Sequence, residues 1–125
     1  MTTAEKALRK WVDLLNLQAW EIWLVEEPVE VLSGGDRMAE VNRSFPNMTA
    51  TITVAIKHSA SEIEAGVRHE CLHLVVCELA AWAYCVSDRL GPEAAKLAQD
   101  IFDGIEERIV RGLERACGRL DGEAR

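Results

Sequence analysis

The chain has 125 residues and a mass of 13.9 kDa; 49% of its residues are hydrophobic, 28% are charged, and it carries a net charge of −7 with a pI near 5.0. These values fit one ordinary globular domain, residues 1–125, with a real core. They exclude the electrostatic footprint of a phosphate-backbone binder, because the fourteen Lys and Arg are scattered along the chain, so nucleic acid is not an expected partner. No stretch approaches the ~20 apolar residues of a bilayer span, and Met1 to Lys6 lacks the basic start and apolar run of a signal peptide. A cytoplasmic protein with no membrane partner is expected.

Residues 3 to 16 place Ala4, Leu8, Trp11 and Leu15 at helical spacing, and Thr2 with Glu5 has the form of a capping box, which predicts a first amphipathic helix. From Trp20 to Glu26 aromatic and branched residues predict a strand that stops at Pro28. Ser33-Gly34-Gly35-Asp36 is a turn cluster, Arg37 to Arg43 alternates like a second strand, and Phe45-Pro46-Asn47 ends it. Thr49 to Lys57 is the clearest strand, since its β-branched residues favour a pleated surface, and it is expected to pair with the second as a hairpin. Ser59 with Glu62 and Ser61 with Glu64 offer two overlapping capping boxes to a long, mostly buried helix that runs to Tyr84. Gly91-Pro92 ends one element and opens a last helix, whose stripe of Ala98, Phe102, Ile105, Ile109, Leu113, Ala116 and Leu120 faces inward and whose tail frays from Gly118. Of the four cysteines, Cys71, Cys77 and Cys85 share one apolar segment at spacings unlike a zinc ribbon, which reads as buried, reduced thiols.

The chemistry is concentrated in Arg68-His69-Glu70-Cys71-Leu72-His73, which contains H-E-x-x-H. A four-residue step returns to nearly the same side of a helix, so His69 and His73 can aim two imidazoles at one tetrahedral zinc. Glu70 lies ~100° around the helix from His69. From there it can reach water beside the metal and act as general base. Metal binding also explains why ionisable groups stand in an otherwise apolar helix, since buried charge is costly unless paired or coordinated. A catalytic zinc needs a third protein ligand. If the last two helices form an antiparallel hairpin about Gly91-Pro92, Glu106 and Glu107 come level with the histidines, and helical phase favours Glu106 as the one pointing inward. Cys77 continues the histidine face but reads as core, and His58 reads as a surface residue that could otherwise be a ligand or a substrate contact.

The chain resembles the small phage and prophage metallopeptidases with a minimal zincin-like domain. The likeness rests on Trp20-Glu21-Ile22-Trp23-Leu24-Val25 after a first helix, on the strand Ala50 to Ile56, on Val67-Arg68-His69-Glu70-Cys71-Leu72-His73-Leu74, and on Glu107-Arg108-Ile109-Val110 in the closing helix. It implies an α+β, zincin-like fold: an N-terminal helix, a small three-stranded sheet, a long HExxH helix and a C-terminal helix packed against it. It implies a zinc-dependent peptidase acting on a peptide or protein in a bacterial host cell, with zinc on His69, His73 and a downstream carboxylate, here Glu107 where helical phase favours Glu106. It also implies that the strand before the active-site helix, Thr49 to Lys57, offers its edge to a peptide. The alternatives are a non-catalytic zinc-binding structural or interaction module of phage origin, and a regulatory protease that works beside a separate DNA-binding chain. Substrate and oligomeric state are not legible.

Overall fold

The computed structural model describes the backbone of residues 1–33, 35–44 and 47–123, with all their side chains except those of Glu78, Trp82 and residues 118–123. The described residues form an α+β fold with helices α1 (Thr3–Leu14), α2 (Ala60–Val75), α3 (Cys77–Ser87) and α4 (Pro92–Glu123) and strands β1 (Glu21–Glu27), β2 (Ala39–Ser44) and β3 (Thr49–Ala55). The chain divides into two compact units, Met1–Val75 and Val76–Arg125.

In the first unit the strand order is β1-β3-β2. The expected hairpin is present: β2 runs antiparallel to β3, from Ala39 opposite Val54 to Ser44 opposite Thr49. Strand β1 lies on the other side of β3 and parallel to it, with Leu24 beside Ile52. The most β-branched strand is therefore the central one, and Ala50, Ile52 and Val54 on its helix-facing side are buried. This corrects the expectation that Thr49 to Lys57 offers an edge to a peptide, because β3 is hydrogen-bonded on both sides and, among the described residues, β1 and β2 are the edge strands.

Helix α1 packs on α2, and α2 lies over β2 and β3. Ala4, Ala7 and Trp11 of α1 and Ile63, Val67, Cys71 and Leu72 of α2 build the core with the β3 face. The Thr2 hydroxyl accepts from the Glu5 amide at 3.2 Å, capping α1 as its sequence predicts. At the other end Asn16 takes φ 57°, and the Leu17 and Asn16 amides bond back to the Val12 and Asp13 carbonyls. This is a Schellman closure, with buried Leu17 as its apolar contact.

The single helix expected from Ser59 to Tyr84 is two helices. It breaks at Val76, with φ −93° and ψ 1°, where Arg43 of β2 donates to the His73 carbonyl at 2.8 Å. A cation from the sheet engages a backbone acceptor in the last turn of α2 just before the break. In the second unit α3 and α4 pack together as the hairpin about Gly91-Pro92. Tyr84 donates to Asp103 and meets Phe102 edge-on at 6.0 Å, and Gln99 donates to the Ser87 hydroxyl at 3.1 Å.

The inner face of α4 also differs from its apolar stripe. Glu106 and Val110 are buried, whereas Ile109 and Leu113 are 37% and 38% exposed. Helix α4 continues through Glu123 where fraying from Gly118 was expected; Ala124 and Arg125 at the end of that tail, the Leu120 side chain, and Gly34, Phe45 and Pro46 of the two expected turns lie outside the described residues. No helix among the described residues is long and apolar enough to cross a membrane.

Candidate metal centre

Helix α2 begins with a full capping box. The Ser59 hydroxyl accepts from the Glu62 amide at 3.3 Å while the Glu62 carboxylate accepts from the Ser59 amide at 3.4 Å and from its hydroxyl at 2.8 Å. These Ser59 hydrogen bonds, with His58 Nδ1 at 3.4 Å as a smaller contribution, hold the Glu62 carboxyl below the usual carboxylate range. Of the two overlapping boxes only this one forms, because Glu64 turns to Lys10 of α1 at 2.7 Å. His58 also donates from Nε2 to the Glu30 carbonyl at 2.6 Å. One ring nitrogen thus faces the start of α2 and the other the segment after β1, so the third histidine ties the two together.

Two and a half turns later the HExxH residues follow. The His69 and His73 rings lie edge-on with centroids 5.0 Å apart and planes at 69°. Two imidazoles bound to one tetrahedral zinc at ~2.05 Å would have centroids about 5.2 Å apart. The pair thus has the spacing that a shared ion needs, reached through ordinary i,i+4 helix geometry.

Between them in sequence, Glu70 is 7% exposed and His73 9%. Cys71 turns into the core, and its thiol is pushed up to about 12 by burial first and by the Glu70 charge second. It is a packing residue, as is Cys77, which is buried; Cys85, expected to be buried, is exposed.

Two groups that position this helix were not singled out from the sequence. One is Arg43, whose guanidinium holds the His73 backbone. The other is Trp11, with Lys10 Nζ 5.1 Å and the Arg68 guanidinium 5.4 Å from its ring centroid. Arg68 is next to the first histidine, so this cation–π contact anchors the His69 turn to α1. The alternation around Arg43 could announce a strand but not its partner across the fold.

In the second unit the two candidate carboxylates occupy adjacent positions on α4. Glu106 is 8% exposed, on the side of the fully buried Val110. Glu107 is half-buried and lies 3.7 Å from Arg111, one helical turn on. As a donor set, His69, His73 and Glu107 combine two imidazoles with one carboxylate, the ligand types of a catalytic zinc. Comparison of the chain with family models, with curated proteins and with solved structures finds no match.

Proposed function

We propose that this protein is a zinc-dependent peptidase of minimal zincin type, with His69, His73 and Glu107 as metal ligands and Glu70 as general base. The observation that carries the reading is the His69–His73 pair, with ring centroids 5.0 Å apart and the intervening Glu70 almost wholly buried. A bound zinc would supply Lewis acidity, polarising a scissile carbonyl and acidifying water.

The remaining chemistry belongs to the chain. The two imidazoles and one carboxylate would hold the ion. Glu70 takes a proton from the attacking water and returns it to the departing amine, so one group serves as base and then as acid. Arg43 keeps the His73 turn in place through its carbonyl. The free edge beside α2 is that of β2, and an extended peptide paired there would run along the HExxH helix. The expected setting is the cytoplasm of a bacterial host, with an encoding prophage as the source that the resemblance implies.

The test is zinc per chain by elemental analysis together with hydrolysis of an unfolded protein such as casein. Wild type should carry about one zinc, His69→Ala should carry none, and Glu70→Gln should keep zinc and lose ~10²- to 10⁴-fold in turnover. Glu107→Gln should lower zinc affinity more than Glu106→Gln does; the opposite order moves the third ligand to Glu106. Equal hydrolysis by wild type and Glu70→Gln at full zinc occupancy would leave a structural zinc module. Absence of zinc from reconstituted wild type would end the metallohydrolase reading.

A further inference from the structure

Strand β1 is an edge strand, and its parity is fixed by two hydrogen bonds: the Glu21 amide donates to the Met48 carbonyl at 2.9 Å, and the Glu27 carbonyl accepts from the Ile56 amide at 2.9 Å. Glu21, Trp23, Val25 and Glu27 therefore direct their backbone groups to β3. Ile22, Leu24 and Glu26 direct theirs to the open side, where no backbone partner from the described residues meets them. A row of unused donors and acceptors is a template for another strand.

Along the same edge lies a groove of about 520 Å³ between α1 and β1. Leu8 and Val12 line it from the helix, and Trp20, Ile22 and Leu24 from the strand side. The residues whose backbone faces the open edge thus also put their side chains into the groove. A strand added here would place every second side chain in it. Glu5, Arg9 and Asp13 also line it, and Glu26 shares the β1 face of Ile22 and Leu24, so acidic groups outnumber basic ones around the apolar floor.

We propose that the β1 edge and the α1/β1 groove form a docking site for an extended peptide segment of a partner protein, with alternating apolar side chains between basic residues. Charge complementarity selects this occupant. A second copy of the chain, paired antiparallel about Leu24, would set Glu21 opposite Glu27 and Ile22 opposite Glu26, and like charges directly opposite one another are destabilising. The site belongs to the first unit alone and does not depend on the metal reading.

The probe is a fluorescein-labelled peptide with a Val-Thr-Val-Thr-Val core between paired Lys residues, titrated into the Glu70→Gln protein so that no hydrolysis removes it. Saturable binding is expected, at least ~10-fold tighter than for the same core between paired Glu residues. Hydrogen exchange at the Ile22, Leu24 and Glu26 amides should slow on binding. Leu24→Pro removes an outward donor and Val12→Lys replaces an apolar part of the groove wall with a charge that repels the basic peptide; each should weaken binding ~10-fold or more, and Val12→Lys leaves the strand intact. No binding, equal affinity for both peptides, or unchanged exchange at those three amides would overturn the proposal. So would protection that rises with protein concentration in the absence of peptide, which would assign the edge to a second copy.

Discussion

Asn16 and Cys71 show how a single position can be read against its surroundings. Asn16 sits at φ 57°, a region most side chains enter at a cost of about 1–2 kcal/mol and glycine enters freely. Asn16→Gly should therefore hold or slightly raise the denaturation midpoint, and Asn16→Val should lower stability by ~1 kcal/mol or more, read by urea unfolding with an unchanged slope. Cysteine reactivity should divide by burial. In the native protein iodoacetamide at pH 8 should modify Cys85 first and leave Cys71 and Cys77 intact until denaturant is added, as peptide mass mapping would show. The sequence carried the His69–His73 pair at this scale because H-E-x-x-H needs only a helix to bring its imidazoles together. It did not carry the exposure of Cys85, since an apolar run around a cysteine says nothing of which helix face meets a neighbour. The choice within the doubled glutamate of α4 was not legible in the sequence for a similar reason: two adjacent carboxylates differ by ~100° of helical phase, and the buried face of this helix follows Glu106 and Val110 instead of the apolar stripe.

Elements were legible where their signals are local. Caps, β-branched runs and the Gly-Pro junction all act within a few residues, and the helices and strands stand close to their expected limits. What failed was set by distant partners. Parallel pairing of β1 with β3 skips the strand between them, and the α2 break coincides with a bond from Arg43, thirty positions earlier in the chain. The box at the start of α2 makes that helix sensitive to acid. Glu62 has its carboxyl lowered from an ordinary value of 4.5 in the fold. Its contribution is fully present above that value and is lost as pH falls through the folded value. Glu62→Gln should remove part of the wild-type loss of stability below about pH 4.5, measured by thermal melts across pH. In α4, a Cβ added at Gly104 or Gly112 meets nothing within 4 Å. Alanine at either position should stabilise the helix by about 0.5–1 kcal/mol, because helical glycine loses the most backbone freedom on folding.

For the whole molecule the decisive quantity is the link between metal and fold. The first unit already has an apolar core of Trp11, Ile52, Val54, Val67 and Leu72, unlike a zinc finger, whose fold is supplied by its ion. The chain should therefore remain folded in chelator and gain stability on metal addition. One site saturated at a hundred times its dissociation constant adds about 2.7 kcal/mol, which corresponds to an upward shift of several degrees for a chain of this size. His69→Ala should abolish that shift without lowering the metal-free melting temperature by a comparable amount, while Glu70→Gln should keep it. Trp11→Ala separates the two contributions from the other side. Loss of a ring that is 3% exposed should cost ~3–5 kcal/mol with or without metal, and the remaining folded fraction should still respond to zinc. A chain that melts cooperatively only with zinc would place the ion among the determinants of the fold, whereas the packed core between α1, α2 and the sheet predicts a scaffold that forms without the proposed ion.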